Sequence, residues 1–285
     1  MPRKLTDAQV VQYKQDGFCF PLSAFSPAEM ADRRQRLEAF EQGQGHPLQG
    51  PQRIKTSLLL KWVDDLMRDA RILDAVEDVI GPDILCWGVN FWTKEPHSPD
   101  YVSWHQDHQY WGLDSAEVVS AWIAFSPATV ESGCMRMQPG THKVQLPHQD
   151  RYDKTNMLSR GQMITAGIDD SHAVNIVLQP GEMSLHNVRI AHASGPNRSD
   201  DRRIGLAIRY MPPQTRQQLG TWDSAALVRG QDRYGHFAHE PIPTKDFDPA
   251  CVAFHAKTTE NLLSLLYQGA EQRRTEYEEN SVERV

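Results

Sequence analysis

The sequence lacks the features that would direct a protein to a nucleic acid or into a membrane. Its 30 Lys and Arg are outnumbered by 37 Asp and Glu, which leaves a formal net charge of −7 and no basic stripe. No apolar run approaches the roughly 18 residues needed to span a bilayer. The first residues also lack the apolar stretch of a secretory signal. We therefore expect a cytoplasmic protein that binds neither nucleic acid nor membranes.

Cysteine is also scarce, and its spacing does not suggest disulfide bonds. The four cysteines lie far apart, with no CxxC pair, at Cys19, Cys86, Cys134 and Cys251. We expect reduced, mostly buried thiols, as is usual in the cytoplasm.

No internal repeat and no clear domain boundary interrupt the 285 residues. The length is sufficient for one large core. We predict a single domain, with a helical part at about 1–82, a β-rich core at about 83–213 and a C-terminal extension at about 214–285.

The N-terminal part carries two capping boxes and one amphipathic stripe. Thr6 with Gln9 predicts a helix that ends near Gly17, and Ser26 with Glu29 predicts a second that runs to about residue 40. From 63 to 80, apolar residues recur every three or four positions, which predicts a third helix.

The middle of the chain has short β-type runs separated by turn signals. Helices followed by many short strands indicate a mainly β protein, a sandwich or jelly roll buttressed by the N-terminal helices. A weakly periodic insertion at 152–171 is typical of a lid or binding loop. Another helix is predicted near 260–267. The β-type runs are Ile84 to Thr93, Val118 to Phe125, Cys134 to Met137, Val174 to Leu178, Met183 to His186 and Ile204 to Met211.

A possible metal site begins at His105 and Asp107. On a strand, residues i and i+2 point to the same side, so an imidazole and a carboxylate can reach one ion. A third ligand can come from His186 or His192, which would complete the two-His-one-carboxylate set of non-haem Fe(II) oxygenases. A zinc hydrolase uses similar ligands, so these residues alone leave the metal open.

Arg203 favours an oxygenase over a hydrolase. It follows His192 by eleven residues, at the start of a predicted strand. A guanidinium fixed there is suited to hold the distal carboxylate of a dicarboxylic acid in bidentate fashion.

Spaced motifs in the order of a known family run through about residues 8–212. The chain resembles the phytanoyl-CoA dioxygenase family of Fe(II)/2-oxoglutarate-dependent oxygenases. The motifs are Tyr13 with Gly17-Phe18, His105-Gln106-Asp107, Ala121-Trp122, Ser132-Gly133-Cys134, Pro139 to Lys143, His192 to Asn197, and Arg203.

The resemblance implies a double-stranded β-helix (jelly-roll, cupin-like) core and a set of cofactor residues. His105, Asp107 and His192 would bind Fe(II), and Arg203 with Ser194 would hold 2-oxoglutarate. Trp122, Gln106 and Asn90 match positions around the cosubstrate pocket.

The resemblance also bears on the reaction. Halogenating relatives have Ala or Gly where this chain has Asp107, so we expect hydroxylation, in which 2-oxoglutarate and O2 become succinate and CO2. Desaturation or cyclisation with the same cofactors, a metal-dependent hydrolase or isomerase, and a non-catalytic metal-binding module are the alternatives.

The substrate is expected to be a small molecule, and its identity stays open. Candidate contacts near the metal motif are Trp104, His108, Tyr110 and Trp111, whose rings could exclude water. Lys55, like Arg53 and Lys94, is a candidate to meet an anionic group.

Overall fold

A computed structural model describes residues 3–273 of the chain. It is mostly β-structure with a few helices. In this part of the chain no helix is long and apolar enough to cross a membrane. All four cysteines are free and buried, as predicted.

The helices begin and end mainly at the residues that cap them. Both predicted capping boxes form, at Thr6 with Gln9 and at Ser26 with Glu29, and Gly17 ends the first helix in the left-handed region. The helices are α1 (Asp7–Asp16), α2 (Pro27–Gln44), α3 (Lys61–Met67), α4 (Ala70–Ile80), α5 (His108–Trp111) and α6 (Pro249–Leu266).

The prediction of one helix over residues 63–80 was wrong. The stripe is divided between α3 and α4, because the Asp69 side chain accepts a hydrogen bond from the Arg71 backbone N–H and caps a new helix there. The last helix is longer than predicted, since it begins with Asp248 as its cap and Pro249 in its first turn.

Thirteen strands form three sheets within residues 3–273. The large sheet has the order β1-β9-β4-β11-β2-β12-β13, a second sheet has the order β3-β10-β5-β8, and β6 pairs with β7. The strands are β1 (Phe18–Ser23), β2 (Ile84–Lys94), β3 (Val102–His105), β4 (Val119–Ala124), β5 (Met135–Met137), β6 (His148–Gln149), β7 (Met163–Ile164), β8 (Val174–Ile176), β9 (Glu182–Asn187), β10 (His192–Ser194), β11 (Arg203–Met211), β12 (Ser224–Arg229) and β13 (Ala238–His239).

The central strand β11 has two chemically different faces. Ile204, Leu206, Ile208 and Tyr210 belong to the largest apolar cluster, together with buried residues of α2, α3 and α4. The alternate residues point to the opposite face, towards the second sheet. That face carries Arg203 at one end and, six residues later, another arginine.

The C-terminal part of the chain joins the large sheet, since β12 pairs antiparallel with β2. Residues 274–285 of the predicted C-terminal extension lie outside the described residues.

Candidate metal and cosubstrate site

The predicted ligand side chains converge between the two sheets. His105 ends β3, His192 begins the neighbouring strand β10, and the two residues are paired across the sheet. One ligand atom from each of His105, Asp107 and His192 lies within 4.8 Å of the others. Strand pairing therefore joins parts of the sequence 87 residues apart into one donor set.

Both imidazoles are oriented by backbone carbonyl groups. Nδ1 of His105 lies 2.9 Å from the Ser103 oxygen, and Nδ1 of His192 lies 3.0 Å from the Ile190 oxygen. A carbonyl accepts only, so each Nδ1 carries the proton and each Nε2 keeps its lone pair for a metal. The His105 Nε2 is 3.3 Å from a carboxylate oxygen of Asp107.

The electrostatics of the set also fit a divalent cation. Burial, and then the neighbouring His105, lowers the pKa of His192 to about 4, so its imidazole is neutral at pH 7. Burial opposes ionisation of Asp107, but its contact with His105 and the electrostatic influence of His192 and Arg209 together hold the pKa of that carboxyl below its usual value. Two imidazoles that present Nε2 lone pairs and one carboxylate are the donors that non-haem iron uses.

His186, the alternative third ligand, is buried close by on β9. Its ring centroid is 5.4 Å from that of His192, and its Nδ1 has no hydrogen-bond partner in the described part of the chain. It lines the same cavity, although it does not belong to the group of three converging donors.

Arg203 lies in the same cavity as the three donors and is 2% exposed. Its guanidinium carbon is 5.5 Å from the centre of the Trp122 ring, and its Nε has no hydrogen-bond partner among the described residues. Within residues 3–273 it has no carboxylate partner, and burial lowers its pKa to about 10. A buried, unpaired guanidinium is costly, and an anionic ligand would relieve that cost.

Ser194 also lines this cavity, and sequence reasoning missed the residue that orients it. Lys94, which is paired with Arg203 across β2 and β11, donates from Nζ to the Ser194 hydroxyl at 2.7 Å and to the Gly195 carbonyl. Burial, and then Arg203, lowers the pKa of Lys94 to about 6. Lys94 was considered only for a substrate anion, because its cross-strand pairing is not evident from the sequence.

Trp122 forms one wall of this cavity, which has a volume of about 490 Å³ and which we call the inner cavity. A Cβ on Gly205 would overlap the Trp122 ring, so the absence of a side chain there allows the indole to lie close against β11. The inner cavity is lined by Trp92, Val102, His105, Asp107, Ser120, Trp122, Met135, Leu158, His186, His192, Ala193, Ser194, Arg203, Ala207 and Arg209.

A second, outer cavity of about 780 Å³ adjoins the first, and four residues line both: Trp92, Asp107, Leu158 and Arg209. Trp111 and Asn90 line the outer cavity, as does Arg53, and α6 contributes Leu262, Leu263 and Leu266. Leu158 belongs to the insertion at 152–171, which therefore contributes to both walls.

The remaining predicted site residues lie outside the two cavities. Gln106 is buried, and its amide donates to the carbonyls of Thr141 and Val144 at 3.1 and 2.8 Å, so it joins loops together. Lys55 is 1% exposed and forms an ion pair with Glu240.

Three of the aromatic candidates also lie elsewhere. Trp104 points away from His105 and lies near Arg136, at 5.9 Å from its guanidinium carbon. His108 is 3.4 Å from Arg189, and Tyr110 packs against His148.

Arg209 is a charged cavity residue that the sequence analysis did not single out. A signal was present, because Arg203 and Arg209 have the same parity on a predicted strand and must share a face. The leucines of α6 had no such signal, since nothing in the sequence relates that helix to the metal motif.

Comparison with known proteins identifies the family. The sequence pattern of the phytanoyl-CoA dioxygenase family matches residues 13–205. The chain therefore belongs to this family.

Two curated relatives and one solved structure illustrate the similarity. The dioxygenase lolE1 of Epichloe uncinata is 27% identical over 50% of this chain and 52% of its own length. A probable alpha-ketoglutarate-dependent hypophosphite dioxygenase of Stutzerimonas stutzeri is 28% identical over 64% of each chain. The matches thus span about half to two thirds of these relatives.

The solved structure is that of ThoJ, described as a non-heme monooxygenase. Its apo form is 32% identical, with a TM-score of 0.80, and the match covers 93% of this chain and 100% of ThoJ. A ThoJ–nickel complex gives a TM-score of 0.75.

Proposed function

We propose that the protein is an Fe(II)- and 2-oxoglutarate-dependent oxygenase that hydroxylates an unactivated C–H bond of a small molecule. The observation that carries this proposal is the presence, in one cavity, of the His105–Asp107–His192 donor set and the unpaired Arg203. A protein that only binds a metal has no need of the unpaired Arg203.

The proposed roles follow from the contacts. His105, Asp107 and His192 would hold Fe(II). Arg203 would bind the distal carboxylate of 2-oxoglutarate, and the Ser194 hydroxyl, which accepts from Lys94, is free to donate to the same carboxylate. Fe(II) with 2-oxoglutarate and O2 supplies the oxidising chemistry, and succinate and CO2 are the coproducts.

The buried surroundings would keep the reaction away from bulk water. Trp122 and Met135 line the inner cavity, and Leu158 covers its junction with the outer cavity. Such a site orients the substrate and prevents side reactions.

Hydroxylation is favoured over halogenation because Asp107 occupies the third ligand position, where a halide would otherwise bind. The description of ThoJ as a monooxygenase agrees with oxygen insertion. We further propose that the two sheets form a double-stranded β-helix, supported by the N-terminal helices within a single domain.

The test is the stoichiometry of the reaction. Protein loaded with Fe(II) without air should convert 2-oxoglutarate to succinate only after O2 is admitted, with one succinate formed per O2 consumed. Arg203→Ala should abolish binding of 2-oxoglutarate, whereas Arg198→Ala, a change at an exposed arginine, should not. Unchanged 2-oxoglutarate affinity in Arg203→Ala would refute the assignment, and activity that persists without O2 would favour a hydrolase or isomerase.

A further inference from the structure

We infer that the substrate carries an oxyanion, a carboxylate or a phosphate, which is bound by Arg209, and an apolar body that lies against tryptophans and α6. This inference rests on the proposed function and names the substrate class of the same site. It begins with the second arginine on the cavity face of β11.

Arg209 is nine-tenths buried and forms no ion pair with another of residues 3–273, although Asp107 lies near enough to favour its charged form. It is 9% exposed, and within the described residues its Nε has no hydrogen-bond partner. Nη1 donates to the Asn90 amide oxygen at 2.6 Å, and the guanidinium carbon lies 4.8 Å from the centre of the Trp111 ring. Asn90 and Trp111 therefore fix the orientation of the group without neutralising it.

The positive charge of Arg209 exceeds the negative charge that would be present around the two cavities. Asp107 is the one acidic residue that lines either cavity within residues 3–273. Fe(II), the Asp107 carboxylate, doubly charged 2-oxoglutarate and Arg203 would together be neutral. Arg209 would then add a positive charge that neither the protein nor the proposed cofactors balance. A buried cation of this kind favours an anionic ligand.

The position of Arg209 assigns that anion to the substrate. Arg203 lines the inner cavity alone, whereas Arg209 lines both cavities, at their junction beside Asp107. An oxyanion held there would place the adjoining part of the substrate beside Asp107 and the other two proposed metal ligands. Arg53, a second cation, lines the outer cavity.

Most of the remaining residues that line the outer cavity are apolar, and Asn90, Ser159 and Gln162 are the polar ones. Trp87, Trp92 and Trp111 line it from the sheet and α5, and α6 covers it with three leucines. Indole and leucine surfaces bind aliphatic or aromatic groups. The family match ends at residue 205, so both Arg209 and α6 lie in the part of this chain that the family pattern does not include. The anion contact of Arg209 and the leucine wall of α6 would thus be features of this chain's own C-terminal third, whereas the three tryptophans lie within the matched residues.

The experiment compares three probes that share one alkyl chain: octanoate, octyl phosphate and the neutral octanamide. Binding is measured by calorimetry under strict exclusion of air, on the full chain loaded with Fe(II) and 2-oxoglutarate. At least one anionic probe should bind about tenfold or more tightly than octanamide, the effect of a charge-assisted hydrogen-bond pair. Equal affinity for all three probes, or no binding of any, would overturn the inference.

Variants then assign the preference to one residue. Arg209→Gln should remove the preference for the anion, keep octanamide affinity and leave 2-oxoglutarate affinity within about threefold; Arg209→Lys should retain part of the preference. Arg216→Gln, a change at an exposed arginine outside both cavities, is the control. A loss of 2-oxoglutarate affinity greater than about tenfold in Arg209→Gln would show that Arg209 binds the cosubstrate instead.

Different results would refute the proposed oxygenase activity and the inferred substrate class. If the wild-type protein binds neither Fe(II) nor 2-oxoglutarate, the proposed oxygenase is refuted. If it binds both but does not distinguish octanoate or octyl phosphate from octanamide, only the substrate inference is refuted. The comparison of probes needs no variant, so it remains decisive if Arg209→Gln does not fold.

Discussion

Replacing Arg203 with Met should stabilise the ligand-free protein and remove its response to 2-oxoglutarate. The guanidinium is 2% exposed and its Nε is unpartnered. Burial lowers its pKa from 12.5 to about 10, which corresponds to a penalty of about 3 kcal/mol on the charged form. Met has a similar length and no charge, so it removes this penalty.

The expected gain is smaller than the full penalty. Met fills the site imperfectly and loses the contact with the Trp122 ring, so we expect a net stabilisation of about 1–2 kcal/mol. For a chain of this size that raises the melting temperature by about 2–6 °C. The variant should also lose its stabilisation by 2-oxoglutarate, because the two charge-assisted hydrogen bonds that Arg203 could donate to a carboxylate are worth about 3–5 kcal/mol.

The assay is thermal unfolding of the wild type and Arg203→Met with an inert divalent metal present throughout, without and with saturating 2-oxoglutarate. Wild-type protein should be stabilised by the ligand, and the variant should unfold at one temperature under both conditions. Arg198→Met, at an exposed position, should behave as the wild type does. The result to the contrary would be a variant that is less stable than the wild type without ligand and is still stabilised by 2-oxoglutarate. It would refute the argument that Arg203 is an unpaired cation that binds a carboxylate.

Four further substitutions test the metal set, the contact of Trp122 with β11 and the ion pair of Lys55. His192→Phe removes a proposed ligand and should weaken Fe(II) or Mn(II) binding in an equilibrium titration by about a hundredfold or more. His186→Phe should change the metal affinity little. A larger effect of His186→Phe would show that His186, rather than His192, is the third ligand. Gly205→Ala should lower unfolding stability by about 1–3 kcal/mol in urea and raise the KM for 2-oxoglutarate, because the new methyl group displaces Trp122. Lys55→Met should lower the free energy of unfolding by about 3–5 kcal/mol, because it leaves the buried Glu240 carboxylate without its ion-pair partner. A loss of activity without a loss of stability would instead indicate that Lys55 contacts the substrate.

The predictions that succeeded concern local signals. A capping box needs only the side chain and backbone of residues three apart, so Thr6 and Ser26 begin helices as predicted. Alternation along a strand is equally local, and it places His105 and Arg203 on the inner faces of their sheets. At Asp69 two local signals disagree. The apolar stripe is continuous there, but the Asp69 side chain caps a new helix.

The sequence by itself determined the family, the mainly β class and the set of residues that meet at the proposed metal, because each depends on residue type at a fixed spacing. Only the tertiary structure decided which neighbours those residues have. The pairing of β2 with β11 brings Lys94 beside Arg203, and the closure of α6 over the outer cavity puts Leu262 near Arg209. Lys55, by contrast, is directed to Glu240 by contacts 185 residues apart in the chain. Such contacts are decided by packing across the whole core, which no local spacing encodes.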